Sequence, residues 1–190
     1  MSDSPRDPFS VAATEHLREV DGGIEYGILE ERFGIPRSTF EPYMLFRPNR
    51  RALWICRRDL LLPERPEPHA VGFPFFYINM RFPRPTTAAI VRFGHLATRN
   101  VVELEDAWVE PFLQRQALEI TGATAAAWTG HGYLVARHRG LTLGLSIWRP
   151  AAAGADEEYA GMLQGLCPHS WTQRLGVEAP DIDGEGVPAG

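Results

Sequence analysis

The sequence predicts an α+β protein: short strands with a few helices, or a small β-barrel decorated with helices. Three observations carry this. Aromatic and β-branched runs of strand length recur along the chain; helical periodicity is confined to short stretches; and Pro, Gly or Asn punctuates almost every junction. At 190 residues and 44% hydrophobic, the chain is long enough to bury a core as one domain or as two small ones.

Taken in order, residues 1–20 are expected to be a flexible N-terminus, polar and with two prolines near its start. Ile24–Phe33 places Ile24, Ile28, Leu29 and Phe33 at helical spacing, and Gly34 and Pro36 stop that helix. Ser38–Pro42 begins a second short helical turn. Tyr43–Phe46 and Ala52–Ile55 read as strands around the arginine-rich turn Arg47–Arg51. Pro63–Pro68, with its alternating prolines, is a stiff boundary or exposed loop.

Gly72–Pro83 is predicted to be one half-buried strand. Tyr77, Asn79 and Arg81 alternate with Phe76, Ile78, Met80 and Phe82. On this pattern Phe73, Phe75, Phe76 and Phe82 belong to the core, and Tyr77 lies on the polar face. Thr86–Ala97 reads as helix or strand, with a short helix favoured because Ala88, Ala89, Val91 and Phe93 show no clear alternation, and Val101–Leu104 is a strand. Glu105–Gln116 is a helix, with Trp108, Val109, Phe112 and Leu113 on one side and Glu105 and Asp106 in the first turn. Gly130–Ala136 and Leu141–Trp148 form a hairpin turning at Arg137–Gly140. Pro150–Glu158 is a linker, Tyr159–Leu166 a short helix or turn, and residues 177–190 an acidic tail too poor in apolar side chains to build a core.

Charge is divided into blocks. From Arg32 to Val102 twelve arginines face four acidic residues, while the flanking segments carry −6 and −7 within a net charge of −5. All 19 basic residues are arginine. A basic middle in an acidic chain points to a polyanion partner, nucleic acid first, and arginine supplies planar, bidentate donors for phosphate.

Other functions lack their residues. There is no phosphate-binding GxxxxGK[ST] loop, no strand–GxGxxG–helix unit, no GxSxG and no HExxH. Cys56 and Cys167 are too few for a disulfide scaffold and read as reduced intracellular thiols. The histidines form no HxH pair, so neither a metal nor another cofactor is expected. The start is not a secretory signal, and no apolar stretch is long enough for a membrane span; the expected location is cytoplasmic.

The candidate RNA-binding residues follow from the basic segment. Arg47, Arg50 and Arg51 surround the first hairpin turn, and Arg57 and Arg58 end the next strand. Arg81 and Arg84 lie at the end of the aromatic stretch beside Tyr77, a stacking candidate along with Trp54. Arg92 and Arg99 bracket Phe93-Gly94-His95.

Several short motifs occur in one order: Thr86–Ile90, Val102-Glu103-Leu104, Trp108–Ala117, Gly132-Tyr133-Leu134-Val135, Leu143-Gly144-Leu145 and Leu163–Leu175. That order resembles the PUA-like RNA-binding domain at the C-terminus of Sun-type RNA cytosine-5 methyltransferases, over roughly Thr86–Gly176. Upstream, Leu29–Pro36 with Phe40 and the following hairpin is similar to the pre-PUA segment of those proteins. The resemblance implies a PUA-like mixed β-barrel with helices at 85–176, preceded by a small α+β segment at 21–84. It also implies recognition of structured RNA.

Within the family's YLRGE-like stretch, Phe112–Gln116 keeps only Arg115, which joins the candidate set. Leu143–Ser146 lacks the lysine of the GWGK-like turn, and Gln164–His169 keeps the proline of the basic ending without its charges. The family's catalytic domain, with its S-adenosylmethionine site and paired cysteines, has no counterpart. The expectation is a non-catalytic RNA-binding protein for ribosomal or transfer RNA, with a methyltransferase or ribosomal protein as possible partner. The alternatives are a protein-interaction or structural module on the same fold, and an enzyme whose pocket gathers His95, His131 or His169.

Overall fold

A computed structural model describes residues 11–13, 17–63, 68, 70–152, 159–168 and 171. Residues 153–158 of the expected linker Pro150–Glu158, most of the proline boundary and the tail at 177–190 lie outside them, while Pro150 itself ends a strand. The fold is α+β, and the chain divides into two compact units, Met1–Arg99 and Asn100–Gly190. The division falls after Arg99, not after Arg84, because the helix that follows Arg84 is built into the first unit's core.

In the first unit, β1 (Val11–Ala13) pairs antiparallel with β4 (Leu61–Pro63), and the Val20 amide donates to the Leu45 carbonyl at 2.9 Å. Part of the segment expected to be flexible is therefore tied down. Helix α1 (Gly23–Phe33) ends where Gly34 takes the left-handed conformation, φ 68°. There the Gly34 amide donates to Glu30 and the Ile35 amide to Leu29, satisfying carbonyls that the helix leaves open. A 3₁₀ turn at Arg37–Phe40 follows, as the sequence predicts.

The four-stranded sheet runs β2 (Tyr43–Phe46), β3 (Ala52–Arg57), β5 (Phe73–Tyr77) and β6 (Arg84–Pro85), all antiparallel. Both its faces are covered, so consecutive residues of β2 and β3 are buried and strict alternation is lost. On one side Met44, Phe46 and Cys56 pack with Leu17, Leu60 and Val71. On the other lies an aromatic cluster around Phe40, whose ring centre is 4.9 Å from Tyr26, 5.5 Å from Phe75 and 5.1 Å from Phe93. Phe93 comes from α2 (Thr87–Phe93), which the Thr86 hydroxyl caps by accepting from the Ala89 amide while donating to the Pro74 carbonyl.

The expected strand over Gly72–Pro83 is shorter than its pattern. β5 stops at Tyr77, residues 78–83 bend away, and β6 returns to pair with Phe76 and Tyr77. Pro83 and Pro85 lack the amide donors a continuing strand needs. Phe82, expected in the core, is 68% exposed; Phe75 and Phe76 are fully buried as expected.

The second unit is a five-stranded mixed sheet in the order β7 (Val101–Glu103), β9 (Gly132–His138), β10 (Leu141–Pro150), β11 (Tyr159–Gly165) and β8 (Ala117–Thr121). β7 and β9 are parallel and the other pairs antiparallel. Its core joins Val102, Leu104, Ile120, Leu134, Trp148 and Leu163 to Phe112 from α3 (Asp106–Leu113); a short α4 (Gly122–Ala125) follows β8. The β9–β10 hairpin turns at Arg139 and Gly140, both with positive φ, in the two-residue geometry that matches strand twist.

Two elements differ from expectation. Tyr159–Leu166 is strand rather than helix, because its glycines are positions of close approach: a Cβ at Gly161 would overlap the Arg149 carbonyl, and one at Gly165 the Phe112 carbonyl. β8 has no counterpart in the sequence reading, although Leu118 and Ile120 are buried between exposed Ala117, Glu119 and Thr121.

Candidate nucleic-acid interface

Strand pairing decides which arginines of the first unit meet. β2 and β3 are joined by residues 47–51, and β5 and β6 by residues 78–83. Because β5 runs antiparallel to β3, both connections emerge at the same end of the sheet. Ala52, Tyr77 and Arg84 are successive cross-strand partners there, and the Ile78 amide donates to the Arg51 carbonyl at 3.0 Å. Arg47, Arg50, Arg51, Arg81 and Arg84 therefore share one end of one sheet.

Local chemistry fixes the first connection. The Asn49 side-chain oxygen accepts from the Arg51 amide at 2.8 Å and the Ala52 amide at 3.1 Å, a turn that an asparagine can hold through its own side chain. The Arg47 guanidinium folds back onto the Asn49 and Arg50 carbonyls. Arg50 and Arg51 are left exposed. In the second connection the Arg81 guanidinium carbon lies 5.3 Å from the Phe82 ring centre, and that of Arg84 lies 5.4 Å from the Tyr77 ring centre. Tyr77 is 38% and Met80 39% exposed. Among the described residues none of these five arginines is ion-paired to a carboxylate. No Asp or Glu occurs between Pro42 and Arg58, nor between Pro68 and Val102. Among the described residues the cluster is a cationic surface without carboxylate partners, with aromatic rings among the charges.

The remaining candidates are placed elsewhere. Arg57 and Arg58 end β3 at the opposite end of the sheet, and each is held by a carboxylate. Arg57 grips Asp59 through two contacts of 2.7 Å, and Arg58 grips Glu19 through two while its Nε donates to the Glu41 carbonyl. These pairs hold the Asp59 and Glu19 carboxyls below the usual carboxylate range. Trp54 is half-buried beside Phe46, 6.4 Å between ring centres. Arg92 is exposed on α2, against its neighbour Phe93. Arg99 donates to the Glu30 carbonyl at 2.9 Å, closing the last turn of α1. Arg115 belongs to the second unit, has φ 61°, and presents its carbonyl to the Gln164 amide group.

Sequence reasoning missed Phe82 as a surface residue. The signal was the pair of prolines flanking Arg84, which ends a strand before its alternating pattern ends.

Elsewhere, an open groove of 470 Å³ in the second unit is lined by Asp106, Val109, Glu110, Leu113, His138 and Arg139. His138 Nδ1 sits 2.8 Å from the Leu104 carbonyl, and Asp106 engages both Arg139 and His138 Nε2. Of the three histidines weighed for an enzyme, His95 and His131 are exposed and do not line it, and His169 lies outside the described residues. Burial pushes the Cys56 thiol up and the Cys167 thiol up to about 11, away from the thiolate form. No group of three metal-ligating side chains occurs among the described residues, and no described helix is long and apolar enough to cross a membrane.

No family model and no curated protein matches the chain. One solved structure is similar, a hypothetical protein from the hyperthermophilic archaeon Pyrococcus horikoshii OT3. It has 12% identity and a TM-score of 0.45, with 82% of this chain and 98% of that one covered.

Proposed function

We propose that this chain is a non-catalytic, cytoplasmic RNA-binding protein that recognises structured ribosomal or transfer RNA, its second unit a PUA-like barrel, and that it works beside a methyltransferase or ribosomal protein. The observation that carries the RNA reading is the meeting of Arg47, Arg50, Arg51, Arg81 and Arg84 at one end of the first unit's sheet, with no carboxylate in either connection. Guanidinium groups without acidic partners are held apart by mutual repulsion, and a phosphate backbone relieves that repulsion by bidentate hydrogen bonding and counterion release.

The test is fluorescence anisotropy of the full chain with a labelled structured RNA across a salt series. Affinity should fall linearly on log–log axes. Arg50→Ala with Arg51→Ala should weaken binding to unrelated RNA sequences alike and flatten the slope by about 1.4–1.8. Absence of binding at about 50 mM salt, where the electrostatic contribution is large, removes the reading.

A further inference from the structure

We propose that the arginine-bearing end of the first unit's sheet takes unpaired RNA bases, with Phe82 and Tyr77 as the stacking surfaces; this deepens the RNA-binding reading and rests on it. The charge cluster alone would suit any polyanion. What narrows the choice is the apolar surface inside it. Phe82 is 68% exposed, and Met80 and Tyr77 are more than a third exposed, on the connection that carries Arg81 and at the strand end beside Arg84. A folded chain gains by covering such rings, and here Phe82 keeps most of its surface open among the described residues.

The ring faces and the charges are interleaved. The Arg81 guanidinium stands 5.3 Å from the Phe82 centre and the Arg84 guanidinium 5.4 Å from the Tyr77 centre. A planar guanidinium over a ring is itself a platform on which a base can stack, so each pair offers a π-surface with a phosphate-binding cation attached. An intact duplex has no use for this, because its base faces are already stacked inside the helix and only phosphates and groove edges are presented. An apolar protein partner fits poorly as well. Docking on Phe82 would draw uncompensated guanidinium groups out of water, a large desolvation penalty without matching carboxylates. Single-stranded RNA, or a loop with splayed bases, satisfies ring and cation together.

The experiment uses the full chain and two labelled probes of the same length: a mixed-sequence RNA without self-pairing, and that RNA annealed to its complement as a blunt duplex. The single strand should bind about tenfold more tightly than the duplex. Phe82→Ala should weaken single-strand binding by about fivefold to a hundredfold while leaving duplex binding and Tm unchanged. Phe82→Trp, which keeps a π-face, should bind the single strand as the unchanged protein does.

Equal affinity for the two probes, or single-strand affinity indifferent to Phe82→Ala, overturns the proposal while leaving RNA binding in place if Arg50→Ala with Arg51→Ala weakens both. Equal loss in the alanine and tryptophan variants assigns Phe82 to loop packing and also overturns it. Failure to bind either probe overturns this proposal and the RNA-binding reading together.

Discussion

Arg84 and Tyr77 are cross-strand partners, and the Arg84 guanidinium carbon lies 5.4 Å from the centre of the Tyr77 ring. The Arg84 Nε is buried with no hydrogen-bond partner among the described residues, and the Tyr77 ring lies against the guanidinium at that edge. Arg84→Ala should therefore lower stability by about 0.5–1 kcal/mol in urea denaturation, with Arg84→Lys recovering part of it.

The two ends of the same sheet should respond differently to arginine removal. Arg57 and Arg58 already hold Asp59 and Glu19, so Arg57→Ala with Arg58→Ala should change RNA affinity far less than Arg50→Ala with Arg51→Ala. Both paired arginines are about half exposed, so water and salt screen the pairs and their loss should alter stability little. Anisotropy and denaturant melts on the two double variants make the comparison.

Gly34 carries φ 68° at the end of α1, and a Cβ there would overlap the Thr98 hydroxyl. Gly34→Ala meets backbone strain and a steric clash at once. It should cost about 1–3 kcal/mol, seen as a lower denaturation midpoint with an unchanged slope.

Phe93 is 3% exposed and touches Phe40, Tyr43, Phe73 and Phe75. Phe93→Ala should destabilise by about 3–5 kcal/mol, the range for removing a buried aromatic ring. Such a loss, read by chemical denaturation, would show that α2 is structural to the first unit.

Glu25 is 7% exposed on α1, and burial holds its carboxyl above the ordinary value, with Asp21 adding to the effect and its own backbone amide opposing it. Folding favours the protonated form, so stability should fall as pH rises from 4.5 through the raised value and stay lowered above it. Glu25→Gln should be more stable than the unchanged chain at neutral pH. The advantage should fade as pH drops towards 4.5, which thermal melts across that window will show.

Elements governed by neighbouring residues were legible in the sequence; those governed by distant contacts were not. α1 is readable because Gly34 and Pro36 stop it locally, and the β9–β10 hairpin because Arg139-Gly140 suits its turn. β11 was read as helix or turn because Gly161 and Gly165 resemble breakers until the carbonyls lying against them are seen. β1 depends on pairing with β4, about fifty positions away. The arginines were visible as a block, but which of them meet follows from β3 pairing with β5 across the proline-rich segment. Further nonlocal contacts set Arg58 against Glu19 and Arg99 against the end of α1.

Asn49 has a consequence for how the basic end can change. Its side-chain oxygen braces the two amides that follow Arg50 while the Arg47 guanidinium holds the Asn49 and Arg50 carbonyls, so the loop's backbone shape does not depend on the side chains of Arg50 and Arg51. Positions 50 and 51 are free to vary in charge and reach without rebuilding the turn, and a visiting ligand has little main-chain motion to arrest. Evolution or design can retune the grip of this surface by exchanging side chains on a frame already set.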